Sequence, residues 1–300
     1  MISVVIPNYN RRDCVLALLK DVYLQEGVEF EVIVVDDCSP DNSVVAVREA
    51  FPQATVLVNE KNSGPAVSRN RGVKAARGQV IVGLDNDVTI PDRHLLAKLA
   101  KKFEENPQMT GAASRIFQPD GQTEDVPRWW HPRPIKDYAA REFQTSYFSG
   151  TAYAFRRAEM LAAGLFPEIL YMHYEEVELA FRILDNQGEI LYLPDFQVVH
   201  HANKVSRRSE IQVFYKPRNQ ILITLRCYPI LRGLTYILPR FAFGGTRAVV
   251  RGHFKDFCRA LRSARALAPL CLKQRKALEK ETWLRIDRMK QGIHPSPSKR

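Results

Sequence analysis

Cysteine is scarce in this 300-residue sequence: Cys14, Cys38, Cys227, Cys258 and Cys271 make an odd set of five with no Cys-x-x-Cys pair. Neither a disulfide framework nor a zinc site is indicated. Gly-x-Gly-x-x-Gly and Gly-x-x-x-x-Gly-Lys are both missing after the first apolar run, which argues against a dinucleotide-dependent dehydrogenase and against a P-loop enzyme. No stretch of about 20 apolar residues runs free of charge, so no membrane span is expected. No secretory h-region precedes Ile2-Ser3-Val4-Val5-Ile6, and the chain is expected to begin in its fold, in the cytoplasm. Acid is thin in the last third, where Lys and Arg crowd the sequence from Lys204 onward. The net charge of +11 asks for an anionic partner: nucleic acid, a membrane surface or a phosphorylated substrate.

With 45% of its residues apolar, the chain can bury a substantial core. Its β-branched runs end in polar or acidic residues. The first, residues 2–6, stops at Pro7-Asn8-Tyr9-Asn10; a helix is expected over about 13–25; a second strand, Phe30–Val35, ends in Asp36-Asp37. Strand, helix, strand is the parallel βαβ unit. A helix over 41–50, a strand at Thr55–Val58 and a helix over 65–77, opened by Pro65, lead to the apolar run 78–82 and then to Leu84-Asp85-Asn86-Asp87. Two carboxylates two residues apart can approach one hard divalent cation, Mg2+ or Mn2+, whose other positions go to water and substrate phosphates; the same residues also suit a plain strand-end turn. In open parallel sheets ligands bind beyond the carboxyl ends of the strands, so Tyr9, Asn10, Asp36, Asp37, Asp85 and Asp87 are expected to face one crevice.

Beyond a helix over 92–105, residues 106–148 read as one long irregular stretch, with Pro119, Pro127, Pro132 and Pro134 around Trp129 and Trp130. Its tryptophans suit the apolar faces of a sugar or a lipid, or the edge of the core. Tyr147–Phe155 alternates as a strand does, and a helix follows over 157–163. In Glu175-Glu176-Val177-Glu178 the helical spacing pairs Glu178 with Arg182 and leaves Glu175 or Glu176 to point into the crevice, unless the cluster is a solvated face. A last strand ends in His200-His201, and a neutral His200 could be the third ligand to a cation on Asp85 and Asp87, or simply surface. Residues 1–209 are expected to form the catalytic domain and 210–290 a helical, basic and apolar region. There Arg226, Arg232, Arg240, Arg247 and Arg251 interleave with apolar residues, as in helices that lie on an anionic membrane or pack on the domain. The tail 291–300 is expected to be disordered.

These residues resemble an inverting glycosyltransferase of family 2, of the kind that includes bacterial rhamnosyltransferase-like cell-envelope enzymes. The likeness is carried in order by Val4–Arg11, Val34–Asp41, Asn62–Gly72, Leu84–Asp87, Ser149–Thr151, Glu175–Leu179 and the Pro194 to His200 spacing, and covers about residues 1–225. It implies the GT-A fold, an α/β architecture with a mostly parallel central sheet flanked by helices. It also implies a donor site of Pro7, Tyr9, Asn10, Asp36, Asp37, Arg69, Asp85 and Asn86. Asp85, Asp87 and His200 would hold the metal, and Trp129, Trp130 and Gly150 would stand on the acceptor side. Glu176 inherits the place of the general base, with Glu175 beside it; the family usually has Asp at the second position. The implied partners are a nucleotide-sugar donor, a glycan or lipid-linked acceptor and an anionic membrane surface, with the protein peripheral on the inner face of the cell membrane.

Two other readings compete. A nucleotidyltransferase also joins an α/β sheet to metal-binding acids, but it would want a basic phosphate-gripping loop after strand one, and Asn8-Tyr9-Asn10 is not one. A nucleic-acid-binding protein would use the +11 charge, yet acids at successive strand ends would repel phosphate.

Overall fold

The computed structural model describes residues 1–201 and 209–291. The chain opens as β1 (Ile2–Asn8), α1 (Arg12–Tyr23), β2 (Phe30–Asp36), α2 (Ser43–Ala50), β3 (Thr55–Val58), α3 (Pro65–Ala75) and β4 (Val80–Leu84). These four strands lie parallel in the order β3-β2-β1-β4, with Asn8 opposite Asp36. Their apolar runs are continuous because helices cover both faces. Val4, Ile6 and Val82 meet α1 through Val15, Leu18 and Leu19, whereas Val5, Ile33 and Ile81 meet Ala66 and Val73 of α3.

The second half of the sheet is mixed. It comprises β5 (Val88–Thr89), α4 (Leu95–Glu105), β6 (Met109–Phe117), α5 (Ile135–Tyr138), β7 (Phe143–Gln144), β8 (Ala152–Arg156), α6 (Arg157–Ala162), α7 (Glu175–Asp185) and β9 (Glu189–His200). β8 enters antiparallel between β4 and β6, and β6 runs parallel to β9. The expectation of one irregular stretch over 106–148 is therefore corrected: β6 is a nine-residue strand inside the sheet. Its composition hid it. Gly111, Ala112 and Ala113 have little strand propensity, but Gly111 is small because the Phe155 ring lies over it: a Cβ there would meet that ring at 2.0 Å. The strand expected over Tyr147–Phe155 begins only at Ala152; residues 147–151 form a loop at the sheet's edge of the site.

Four helices follow: α8 (Ser209–Cys227), α9 (Ile230–Val250), α10 (Phe254–Lys273) and α11 (Lys280–Gln291). Ile223, Cys227, Trp283 and Ile286 are buried, packing α8 and α11 on Phe181 and Leu184 of α7, while Leu222 packs with Leu170 and with Ala264 and Cys271 of α10. Two of the five arginines interleaved with apolar residues have carboxylate partners within the protein. Arg226 sits on the buried Glu178, Nη2 to Oε1 at 2.8 Å, and Arg232 grips Asp287 at 2.6 Å and lies over the Trp283 ring. In contrast, α9 leaves Leu231, Leu238, Phe243 and Val250 exposed. Among the described residues no helix is long and apolar enough to cross a membrane. The expected disorder of the C-terminal tail concerns residues that, from 292 on, lie outside those described.

Candidate active site

The carboxyl ends of β1, β2 and β4 open into a cavity of about 200 Å³ whose walls include Pro7, Tyr9, Asp37, Asp85, Asn86 and Tyr171. Tyr9, 46% exposed, and Tyr171 give it two aromatic walls. Asp37 is locked in place by three donors: Asn59 Nδ2 at 2.7 Å, the Ser63 N–H at 2.9 Å and the Gly64 N–H at 2.7 Å. Asp36 lies beneath the cavity instead. Its buried carboxylate accepts from Asn8 Nδ2 and from the N–H and hydroxyl of Ser39, tying β1 to the loop after β2. Asn10 takes a left-handed turn, φ 51°, and donates its N–H to Ser39. Asn86 is buried and donates to Asn8 Oδ1. Of the residues expected to face one crevice, Asp37, Asp85 and Tyr9 line it, while Asp36 and Asn10 shape it from behind.

Asp87 stands on the far side of Asp85, next to the end of β9. His200 Nε2 lies 3.6 Å from Asp87 Oδ1, and its Nδ1 lies 2.8 Å from Asp125 Oδ2. A carboxylate behind the imidazole is the support that metal-bound histidines usually have, because it fixes the tautomer and the ring plane. Guanidinium groups take one oxygen of each Asp-x-Asp carboxylate: Arg69 Nη2 at 2.8 Å on Asp85, and Arg11 on Asp87. No set of three His, Cys, Asp or Glu groups is assembled around one point among the described residues. Asp87 and His200 are thus the near pair and Asp85 is turned toward Arg69. Two protein ligands with the rest left to water and phosphate is what Mg2+ commonly accepts, so the donor set fits a hard divalent cation.

A second cavity, about 420 Å³, lies against the first and shares Pro65, Asp85 and Met172 with it. Glu175 and Glu176, at the start of α7, form one wall; Trp130, Tyr147, Arg128 and His173 form others. Arg69 ties the two cavities together. Buried at 4% exposure, it reaches Asp85, Glu175 at 3.3 Å and the Gly150 carbonyl at 3.3 Å. Burial opposes its charge, but Asp85, then Tyr153, Glu175 and Glu176, outweigh that and hold its pKa above the ordinary value. Burial, and next the charge of Glu176, push Glu175 well above the usual carboxylate range despite Arg69. Its Oε2 is buried with no hydrogen-bond partner. Glu176 Oε1 accepts the Gly150 N–H at 3.2 Å. Two adjacent carboxyl groups in unequal environments are the arrangement by which one stays neutral and the other ionised.

The two tryptophans part company. Trp130, 40% exposed, lines the second cavity and stacks on Tyr147 with ring centroids 5.7 Å apart. Trp129 turns inward, contrary to its expected place on the acceptor side: it packs on Tyr192 and Phe143 and donates Nε1–H to the Arg133 carbonyl. The loop joining both cavities is strained, with positive φ at Tyr171, His173 and Tyr174; such non-glycine conformations cost about 1–3 kcal/mol each. From α8, Asn219 Nδ2 holds it through the carbonyls of Leu170, Met172 and His173 at 2.9, 2.7 and 2.7 Å. Sequence reasoning missed this residue, and it missed Arg11 and Asp125 as partners of Asp87 and His200. Arg11 ends the first motif quoted above and was open to notice; nothing local marks Asn219 or Asp125.

A central sheet with a two-lobed cleft at its carboxyl edge is the architecture of the GT-A fold. Residues 3–163 match the family described as Glycosyl transferase family 2. The chain belongs to that family. It is similar to a Haemophilus influenzae glycosyltransferase, 40% identical over 110 residues, 36% of each chain. It is likewise similar to the succinoglycan biosynthesis protein ExoO of Rhizobium meliloti, 40% identical over 96 residues, 31% of this chain and 27% of that one. The chain thus spans about a third of the length of these curated relatives. Among solved structures, a Pyrobaculum calidifontis mannosyltransferase in complex with GDP-Man and Mn2+ aligns at 19% identity over 97% of this chain and 84% of its own, TM-score 0.58. Residues 1–349 of Staphylococcus aureus TarS in complex with UDP-GlcNAc align at 19% identity over 98% and 93%, TM-score 0.63. At that identity the likeness speaks for the fold, which is GT-A.

Proposed function

We propose that this transferase moves a sugar, with inversion, from a nucleotide-diphosphate donor to a hydroxyl of a cell-envelope glycan or lipid-linked acceptor. One observation carries the reading: the two cavities meet at Asp85, so a donor diphosphate in the first and an acceptor hydroxyl in the second would approach one point from opposite sides, with Glu176 on the acceptor's side. In that step the acceptor O–H proton passes to the Glu176 carboxylate as the oxygen bonds to the anomeric carbon. The bond from that carbon to the donor phosphate breaks, and its electron pair leaves with the nucleoside diphosphate. No covalent intermediate is needed, and a positioned base is worth about 10²–10⁴-fold.

Each remaining residue has a task in this reading. Tyr9 and Tyr171 would flank the nucleobase, and Asp37 would accept from base or ribose. Asp85, Asp87 and His200 would hold Mg2+ or Mn2+, which when bound offsets charge on the leaving diphosphate. Arg69 keeps Asp85 and Glu175 at fixed distance, and Trp130 offers an aromatic face to an acceptor sugar. Names among the relatives, such as a succinoglycan biosynthesis protein, support an envelope polysaccharide as the product. The exposed apolar residues of α9 support a peripheral place on an anionic membrane. The test is a screen of nucleotide sugars, with Mn2+ or Mg2+, for slow hydrolysis and for protection against thermal unfolding. A true donor at 100 times its Kd adds about 2.7 kcal/mol. If no nucleotide sugar protects or is hydrolysed, the reading falls.

A further inference from the structure

The mechanism leaves unused a groove of about 320 Å³ formed by α8, α9 and the start of α10. Its polar lining is Lys216, Arg240, Arg247 and Arg251 with Gln212 and Gln220, and no Asp or Glu stands among its described lining residues. Elsewhere in these helices arginines face carboxylates, Arg226 on Glu178 and Arg232 on Asp287. Here Lys216 faces Arg247, and Arg240 turns its Nη1 to the Tyr236 carbonyl at 3.0 Å rather than to a carboxylate. Burial, then Arg247 and Arg128, lower the Lys216 ammonium pKa below the ordinary lysine value. Gathering like charges is unfavourable unless an anion joins them, and a phosphate with several oxygens satisfies guanidinium groups better than water does. Phe243 and Phe257 give the same groove an apolar side. The groove is continuous with the second cavity, since Gln212 and Lys216 line both.

We propose that this groove binds the diphosphate of a prenyl-diphosphate-linked acceptor: Lys216, Arg240, Arg247 and Arg251 hold the diphosphate, the first prenyl units lie on Phe243 and Phe257, and the acceptor sugar extends into the second cavity toward Glu176. The link to the acceptor rests on the transferase reading above; the anion site rests on the groove. Lys216 stands at the junction, where an anion would meet both lobes.

The test uses the full-length protein in a chelating buffer without donor, so that the acid-lined first cavity repels anions. Farnesyl diphosphate, inorganic pyrophosphate and phosphatidylglycerol vesicles are titrated calorimetrically against the wild type, Asp87→Asn and Arg247→Ala/Arg251→Ala. Both arginines are exposed, so the double variant should fold normally, checked by thermal unfolding. Farnesyl diphosphate is expected to bind at least tenfold tighter than pyrophosphate, to lose tenfold or more in the double variant, and to be unchanged in Asp87→Asn. The proposal is overturned by equal affinity for the two soluble diphosphates, by undiminished binding in the double variant, or by binding to vesicles alone. Donor hydrolysis is measured in parallel. Hydrolysis without diphosphate binding removes the groove proposal only, whereas groove binding with no nucleotide sugar turned over removes the transferase reading and leaves the anion site.

Discussion

Gly150→Ala puts one methyl group where the site has no room. The Gly150 N–H donates to Glu176, its carbonyl accepts from Arg69, and a Cβ there would stand 2.6 Å from both Arg69 Nη2 and Glu176 Oε1. Ordinary contact starts near 3.4 Å, so both side-chain ends must retreat by about 0.8 Å. The backbone at this position is not left-handed, so alanine is conformationally acceptable and the whole effect falls on those two neighbours. Overpacking of this kind costs about 1–3 kcal/mol of stability, and displacing a reacting group by about 1 Å costs on the order of 10²-fold in rate. The expected variant is folded, slightly less stable, and about 10²-fold lower in kcat, with the donor KM changed much less. Steady-state transfer kinetics and urea unfolding measure both quantities. A folded Gly150→Ala enzyme with kcat within about threefold of wild type would refute the placement of Glu176 as base.

Glu176→Gln should bind donor normally and lose roughly 10²–10⁴-fold in transfer rate; a silent Glu176→Gln beside a crippled Glu175→Gln would move the role to Glu175. The raised Glu175 carboxyl predicts a slope of stability with pH. A carboxyl whose folded pKa lies above its unfolded value contributes stability that is complete below the unfolded value, about 4.3, and is lost as pH rises toward the folded one. Wild type should therefore lose stability relative to Glu175→Gln as pH rises above about 4, and parallel unfolding curves would contradict this. Asn219→Ala removes the donor shared by three carbonyls of the strained loop. Leaving such groups unsatisfied costs about 1–3 kcal/mol, and kcat should fall as well because Met172 and His173 line the second cavity; a variant of unchanged stability would mean that the loop does not depend on α8.

Much of the fold was legible because the N-terminal half obeys local rules. Strands buried on both faces read as unbroken β-branched runs, Pro65 marks the start of α3, and each strand end carries its polar residue at the point where the sheet meets solvent. β6 was not legible, since its Gly111 answers to Phe155, forty-four positions later in the chain. The site divides in the same way. Asp85 and Asp87 stand out by type and spacing, whereas only the family resemblance chooses Glu176 over Glu175. Whether Trp129 or Trp130 faces the cavity depends on the Phe143 and Tyr192 rings that capture Trp129. Likewise, the fates of Arg226 and Arg232 depend on Glu178 and Asp287, partners about fifty residues away that no local pattern reveals.

The central claim is that Asp87 and His200, with Asp85 beside them, hold a divalent cation under the donor diphosphate. Calorimetric titration of UDP, GDP and dTDP into wild type and Asp87→Asn, with Mn2+ and with chelator, tests it most directly. At least one nucleoside diphosphate should bind the wild type only when the metal is present, and Asp87→Asn should weaken that binding tenfold or more, about 1.4 kcal/mol. Equal binding by both proteins in chelator would contradict the claim.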